Sequence, residues 1–348
     1  MHLSSLKLLY CVLIGLGILL APGVSQAASA CENYFSGERV TLVVPFSAGG
    51  GNDAYARLFA PVLAALIDSR VVVRNIPGAG GMIGASTVAA AEPDSLVMGV
   101  FDPVNLIAAK LSSQDAPELS RFSFLGAFNI DATVWAGRAA SLESLAQTGT
   151  IVVGQSSYSM ISRILLPAVA LGWSVESVSG YSGTADAWLA MLRGETDIAY
   201  SPAVVMRNYL DANSDASVLL SLSKGPNVLF PVAPYLGGPG GLVERLSAGL
   251  DEEVRQRRLN YGELAVELNQ SFRAIAITSG ISAETMACLT QAVHQVLISD
   301  QLQRVAEQQN LILQPVSGAD ISATLQRIND LVLENITEIQ TLADVWTR

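Results

Sequence analysis

A repeated order of strand, glycine-rich turn and helix constrains the fold of this 348-residue chain more than any other feature. Short β-branched runs mark the strands, and apolar residues at helical spacing follow each turn. The predicted elements are strands at 39–46, 70–74 and 96–101 and helices at 52–66 and 85–91. Because a helix separates each strand from the next, these strands should lie parallel in one α/β lobe.

The same order restarts in the middle of the chain, now with polar turns rich in serine and glycine. The predicted elements there are strands at 132–136, 150–153, 175–179 and 197–200 and helices at 142–147, 160–171 and 184–192. A charged stretch at 243–268 should form one or two exposed helices, followed by a strand at 272–278 and helices at 283–298 and 320–345. We therefore predict two α/β lobes, each a mostly parallel sheet flanked by helices.

The predicted domain order is a discontinuous first lobe with the second lobe inserted into it. Residues 31–130 begin lobe 1, 131–222 form lobe 2, and 223–348 return to lobe 1 with the C-terminal helices. The connecting hinge strands are expected near 126–136 and 217–226.

Residues 1–30 have the features of an export signal. Lys7 precedes an apolar run at 8–21, and small residues follow at 25–30. The apolar run is shorter than the roughly 20 residues that cross a bilayer, so a cleaved signal peptide is favoured over a membrane anchor. The mature chain is therefore expected to be exported.

Cys31 and Cys288 are the cysteines that remain after cleavage, and Cys31 has two interpretations. It either carries a lipid as the first mature residue or forms a disulfide with Cys288. Ala28, three positions before Cys31, is a poor match to the apolar residue usual in lipoprotein signals. On the helix at 283–298, Cys288 falls opposite the apolar face, which predicts a cysteine outside the core. Two such cysteines in an oxidising compartment favour the disulfide.

Composition and motifs argue against several functions. The net charge of −11 disfavours nucleic acid and anionic lipid as partners. After cleavage His294 is the single histidine, and it falls on a helix flank typical of a surface residue. Metal-site spacings are absent from the sequence. We therefore predict no enzyme activity, no cofactor and no metal.

One glycine turn formally matches the dinucleotide pattern G-x-G-x-x-A, at 49–54. That pattern also requires an acidic residue at the end of the next strand, where this chain has Arg74-Asn75. A binding site for NAD is therefore disfavoured.

The glycine turns at 49–51 and 78–81 should instead hold a small anion. Each ends a parallel strand and begins a helix, so backbone N–H groups and helix dipoles converge at one sheet edge. The second lobe offers polar groups at its own strand ends: Gln155, Ser156, Ser157, Ser159, Tyr181, Ser182 and Thr184. Such a cleft, with many donors and few fixed charges, suits capture of a small carboxylate.

The residues of both first-lobe turns resemble those of a known family. The run VVPFSAGGGNDAYAR at 43–57 is similar to the opening of the tripartite tricarboxylate transporter receptors, the Bug-type periplasmic solute-binding proteins. The run VVRNIPGAGGMIGA at 72–85 resembles their V-x-N-x-P-G-A-G-G-x-x-G block. GYSGTA at 180–185 and RGETD at 193–197 resemble two further blocks. The resemblance is strong from residue 39 to 200 and diffuse beyond, and the blocks at 45–57 and 75–84 are specific.

The resemblance implies a periplasmic binding protein of the type II-like Venus-flytrap fold. Such a receptor acts as a monomer, binds a small organic acid and passes it to integral-membrane transporter subunits. The implied ligand-binding residues come from both lobes: Phe46, Ser47, Gly49, Gly50, Asp53, Gly78, Ala79, Gly80, Gly81, Ser156, Ser157, Ser159, Tyr181, Ser182, Gly183, Thr184 and Ser201. Asp53 has an equal alternative, in which it caps its helix or pairs with Arg57.

Two departures from the family pattern affect the ligand more than the fold. The second-lobe turn G-S-x-G-x-G-S-x-x-H reads GQSSYSMISR at 154–163, without the extra glycines, and the segment at 237–270 is longer and more charged. Trp135, Trp173 and Trp188 either form an aromatic wall or, as is commoner, pack in the core. The alternative function is a ligand-sensing subunit of a signalling system with the same fold.

Overall fold

The computed structural model describes residues 31, 33–111, 115–147, 149–154, 160–178, 180–181, 184–212 and 215–346, with side chains as far as 344. The predicted signal peptide lies outside these residues. So do five of the predicted binding residues, Ser156, Ser157, Ser159, Ser182 and Gly183.

Within the described residues, ten strands form one mixed sheet. Its order is β2-β1-β3-β9-β4-β7-β5-β6, with β8 and β10 paired to β4. The strands are β1 (Arg39–Val44), β2 (Arg70–Asn75), β3 (Val97–Phe101), β4 (Phe122–Gly137), β5 (Ile151–Gly154), β6 (Val175–Val178), β7 (Ile198–Pro202), β8 (Ser217–Ser221), β9 (Gln270–Thr278) and β10 (Val316–Ser317).

Helices follow most of the strands. They are α1 (Gly51–Leu66), α2 (Met82–Ala89), α3 (Val104–Leu111), α4 (Leu142–Gln147), α5 (Leu166–Leu171), α6 (Thr184–Leu192), α7 (Ala203–Asp211), α8 (Leu242–Ser247), α9 (Glu252–Glu267), α10 (Ala283–Leu297), α11 (Asp300–Gln308) and α12 (Gly318–Trp346). A π-helical turn, Ile161–Leu165, leads into α5. The predicted helix at 160–171 therefore begins with a wider turn than expected.

The sheet has two lobes joined by β4. In the first lobe β1 is parallel to β2 and β3, and β9 returns antiparallel to β3. In the second lobe β5 is parallel to β6 and β7, while β7 and β8 are antiparallel to β4. The parallel strands follow the predicted order, and the antiparallel strands that enter and leave each lobe make the sheet mixed.

The 16-residue strand β4 passes from one lobe to the other, and only its second part was predicted. Register shifts at 124–126 and 127–130 interrupt the alternation of its side chains, so the sequence lacks a clear strand pattern there. The predicted hinge segments near 126–136 and 217–226 overlap β4 and β8.

The charged stretch predicted as one or two helices forms α8 and α9. Buried residues of α9, including Tyr261, Leu264 and Ala265, pack in one core with Ala168 and Leu171 of α5. The domain assignment of residues 223–348 stays a prediction.

Cys31 and Cys288 form a disulfide, with their Cα atoms 5.2 Å apart. The predicted pairing is therefore present, and a thiol in a disulfide is not available to carry lipid. The expectation that Cys288 lies outside the core is wrong, because the side chain is only 2% exposed. The N-terminal segment covers that side of α10, and the hydroxyl groups of Tyr34 and Thr285 lie 2.9 Å apart across the contact.

Three other side chains agree with their predicted environments. Trp135 and Trp188 are buried in the core, and His294 is exposed on α10. None of the helices in the described part of the chain combines the length and apolarity that a bilayer span requires.

Candidate ligand-binding cleft

Three helices begin at the carboxyl edge of the first lobe. The parallel strands β1, β2 and β3 end side by side, and α1, α2 and α3 start within a few residues of their ends. The first N–H groups of a helix have no partner within the helix, and the helix dipole makes them positive. The predicted glycine turns are therefore two of three helix starts that face one edge.

The buried carboxylate of Asp53 stabilises the first turn through hydrogen bonds. Its carboxylate accepts hydrogen bonds from the Gly49 N–H at 2.8 Å, Arg57 Nε at 2.8 Å and Asn75 Nδ2 at 2.9 Å. Burial acts to raise the pKa of Asp53, but these hydrogen bonds together bring it below its ordinary value. Of the two predicted roles, the structure shows pairing with Arg57 and support of the loop. Ser47 and Gly50 are exposed in the same turn.

The second turn has a backbone that favours glycine. Gly78, Ala79, Gly80 and Gly81 all have positive φ angles, of 132°, 43°, 58° and 100°. A Cβ atom on Gly81 would lie 3.0 Å from Cζ of Phe46. Asn75 Nδ2 also donates to the Phe46 carbonyl at 2.9 Å, so the two turns are held against each other.

Gly84 fixes the distance between α2 and the first turn. A Cβ atom at this position would lie 2.5 Å from Cβ of Pro45 and 2.8 Å from the Ile76 carbonyl oxygen. Only a residue without a side chain permits this approach.

A third turn, which sequence reasoning missed, brings Asp102 to the same edge. Its carboxylate accepts from the N–H groups of Val104 and Phe272, both at 3.2 Å. Burial raises the pKa of Asp102 to about 6, although the charge of Arg163 acts in the opposite direction. Asp102 lines a narrow recess of about 10 Å³ whose other lining residues include Phe46, Gly80, Gly81 and Asn105. The sequence signal that could have identified Asp102 was its position as a charged residue directly after the strand predicted at 96–101.

The second lobe places fewer of its predicted residues within the described chain. Tyr181 is half-buried, and its Cε2 atom lies 3.3 Å from where a Cβ of Gly154 would be. Thr184 is the first residue of α6. Ser201 is buried in β7, and its hydroxyl has no hydrogen-bond partner in the described structure.

Arg163 extends from the second lobe toward the third turn of the first. Its Nη2 atom lies 3.5 Å from Oδ1 of Asn105, and its guanidinium stacks 5.6 Å from the ring centroid of Tyr200. The Trp135 indole N–H donates to the backbone carbonyl of Arg163 at 3.0 Å. Among the described residues no carboxylate lies within ion-pair distance of Arg163. Arg163 stands at the last position of the turn where the family pattern has histidine, which was the sequence signal for it.

Arg273 is a second buried positive charge, and it lies near the start of α1. It is 3% exposed, donates to Asn129 Oδ1 at 3.1 Å and lies 5.1 Å from the ring centroid of Tyr55. Its Nη2 atom would be 3.7 Å from a Cβ on Gly51, so it lies close to the start of α1. Two arginines and Asp102 therefore lie near the starts of α1 and α3, which is more fixed charge than the sequence suggested.

Sequence comparison finds short stretches of similarity to curated proteins, and no family model matches the chain. It is 35% identical over 79 residues to a UPF0065 protein of Agrobacterium vitis, covering 23% of each chain. It is 27% identical over 189 residues to a UPF0065 protein of Bordetella pertussis, covering 50% of this chain and 57% of the relative. It is also 32% identical over 83 residues to protein BugT of the same organism, covering 24% of this chain and 25% of that protein. The alignments thus span between about a quarter and somewhat over half of these relatives.

Solved structures match over much more of the chain. A TctC solute-binding protein from Polaromonas has a TM-score of 0.61 at 20% identity, covering 88% of this chain and 98% of that one. MatC of Rhodopseudomonas palustris, solved with bound malate, has a TM-score of 0.63 at 20% identity, with 87% and 98% covered. A second R. palustris protein, solved with adipate, has a TM-score of 0.64 at 17% identity, with 87% and 97% covered.

These structural matches show the two-lobed fold of periplasmic binding proteins, as the family resemblance implied. The sequence matches fall on UPF0065 and Bug proteins, and the structure matches include TctC-type receptors. The chain is thus similar in parts of its sequence to UPF0065 and Bug proteins, and in its fold to solved solute-binding proteins that include a TctC protein and BugD.

Proposed function

We propose that the chain is an extracytoplasmic receptor that captures a small carboxylate between its lobes and delivers it to a tripartite tricarboxylate-type membrane transporter. The observation that carries this proposal is Arg163, a guanidinium without an ion-pair partner among the described residues, which reaches the start of α3 at the sheet edge where α1 and α2 also begin. An arginine in a cleft matches the two oxygens of a carboxylate, and helix N-termini favour negative charge.

The comparisons support the same ligand class. MatC was solved with malate and a second neighbour with adipate, and both are small dicarboxylates. The predicted signal peptide at 1–30 is consistent with a periplasmic receptor. On this account the protein binds and releases its ligand unchanged, as a monomer, without a cofactor, and the membrane subunits are its protein partner.

The test is thermal unfolding of the mature chain with single mono-, di- and tricarboxylates, amino acids and NAD. A ligand at about 100 times its Kd stabilises a folded protein by about 2.7 kcal/mol, which raises the melting temperature by several degrees. We expect a response to a carboxylate and none to NAD. A rise in melting temperature with NAD alone would contradict the proposal, and so would the absence of a rise with every carboxylate.

Two matched glycine variants separate binding at the second turn from general strain. Gly81→Ala adds a methyl group beside Phe46 at the cleft, at a φ of +100°. Gly37→Ala adds the same group at a φ of +78°, where no atom lies within 4 Å. Both should lower the melting temperature, but only Gly81→Ala should weaken the response to the carboxylate. If the carboxylate raised the melting temperature of both variants equally, the second turn would not be part of the binding site.

A further inference from the structure

A cavity of about 360 Å³ lies beside β4, the strand that passes from one lobe to the other. Its walls are the middle of β4 with the start of β9, the segment 222–229 that follows β8, and the segment 312–314 between α11 and β10, with one residue each from α7 and α9. None of the predicted carboxylate-binding residues that the structure describes lines it. The cavity is therefore a space separate from the glycine turns.

The side chains that line this cavity are mostly apolar. They include Ile130, Val204, Leu222, Leu229, Val266 and Ile312. Apolar walls favour an apolar occupant, because contact between the two removes the surface of both from water. A ligand-sized concave space with such walls is the usual form of a small-molecule site.

Two buried amide side chains in the wall already have hydrogen-bond partners within the protein. Asn129 Oδ1 accepts from Arg273 at 3.1 Å, and Asn129 Nδ2 donates to the Ile312 carbonyl at 3.2 Å. Asn227 Oδ1 accepts from the Leu229 N–H at 2.9 Å. An occupant therefore does not need a hydrogen-bonding group to satisfy these amides.

The charged residues of the wall disfavour an anion. The Asp131 carboxylate accepts from the Val204 N–H at 2.8 Å, and the nearby charge of Arg273 already acts on it. Lys224 Nζ lies 2.7 Å from Glu267 Oε1, so its charge is paired. An anion would lose water beside Asp131 without meeting an unpaired cation among the described lining residues. This cavity is therefore not a second carboxylate site.

We propose that this cavity is a second binding site, for one small neutral molecule with an aromatic or aliphatic body. An apolar cavity of about 150 Å³ holds benzene, so a cavity of about 360 Å³ has room for about two fused rings. The inference goes beyond the proposed function, because it assigns a different ligand to a different place. A molecule bound there contacts β4 where the two lobes join.

The experiment is equilibrium dialysis of the mature chain against indole, a neutral molecule of two fused rings, with no carboxylate present. We expect saturable binding of one indole per chain. Ala132→Leu places a larger side chain in the wall of the cavity, so it should weaken this binding at least tenfold.

Two exposed valines in the segment after β8 locate the site. Val228 is 79% exposed and lines the cavity, whereas Val232 is 97% exposed and does not line it. Replacing either valine with aspartate adds one negative charge to the same segment and disturbs no core packing. Val228→Asp should weaken indole binding about tenfold, because the ligand would remove water from the new charge. Val232→Asp should bind indole like the unmodified protein.

The contrary results are distinct. The absence of saturable indole binding by the unmodified protein would overturn the inference, while the response to carboxylates in the thermal assay would still decide the receptor function. Equal indole affinity in Val228→Asp and Val232→Asp would place indole elsewhere and overturn the assignment of this cavity. If Ala132→Leu does not fold, the two valine variants decide alone.

Discussion

Replacing Asp102 with asparagine should change how the stability of the protein depends on pH. Burial raises the pKa of Asp102 in the folded protein to about 6 from an ordinary value of 3.8. Between these values the folded state binds more protons at this group than the unfolded state does. Stability therefore falls as pH rises through this window, because the carboxylate must ionise in a buried place.

The size of the effect follows from the two pKa values. The difference between about 6 and 3.8, at about 1.36 kcal/mol per pKa unit, corresponds to about 3 kcal/mol. The unmodified protein should lose this amount, relative to Asp102→Asn, between about pH 3.5 and pH 7.5. Asparagine has no titrating group, so the difference between the two proteins isolates Asp102 from all other carboxylates.

The assay is urea unfolding of both proteins at half-unit steps of pH. We expect the free energy of unfolding of the unmodified protein, minus that of the variant, to decline by about 3 kcal/mol and to level off above about pH 7. Parallel curves would refute the reasoning, since they would mean that Asp102 ionises in the folded protein as easily as in the unfolded chain. A difference that grows with pH would show that the Arg163 charge outweighs burial.

Three further predictions concern stability. Gly84→Ala should destabilise the protein by about 1–3 kcal/mol, because the new Cβ would lie 2.5 Å from Cβ of Pro45. Gly225→Ala, whose new Cβ would have no atom within 4 Å, should be neutral in the same urea assay. Equal destabilisation by the two variants would contradict the close contact at Gly84. The Cys31–Cys288 disulfide closes a loop of 257 residues. Reducing it, or replacing both cysteines with serine, should therefore lower the free energy of unfolding by up to about 5 kcal/mol, and an unchanged unfolding midpoint would contradict this. Burial acts to raise the pKa of Glu267, but hydrogen bonds from Arg327 and Lys224 bring it below its ordinary value of 4.5. Glu267→Gln should therefore cost about 2 kcal/mol near pH 7, with the loss shrinking as pH falls below that ordinary value, and an equal loss at all pH values would exclude the ion pairs as its cause.

The strand–turn–helix units could be predicted because local sequence determines them. The runs at 39–44 and 70–75 and the helix α1 have periodic apolar residues, and the glycine turns satisfy backbone angles that other residues adopt with strain. Helices α3 and α7 were missed because each follows its strand within three residues, without a separate turn signal. The disulfide was predicted from compartment and cysteine number, but the burial of Cys288 depends on a distant segment packing over it.

The charged part of the cleft could not be read from the sequence in the same way. Asp102 and Arg163 are far apart in the chain, and the crossing of β4 between the lobes brings them to one place. The sequence therefore predicts an anion cleft, whereas the charged residues beside it follow only from the three-dimensional arrangement.

The central claim, capture of a carboxylate by Arg163, is tested most directly by calorimetric titration of two arginine variants. Arg163→Gln removes the cleft guanidinium, and Arg138→Gln removes an exposed one that binds the Leu192 carbonyl. Both variants lose one positive charge, so general electrostatics are matched. With the carboxylate that stabilises the unmodified protein, Arg163→Gln should bind about ten- to hundredfold more weakly and Arg138→Gln should bind as before. Undiminished affinity in Arg163→Gln would contradict the account.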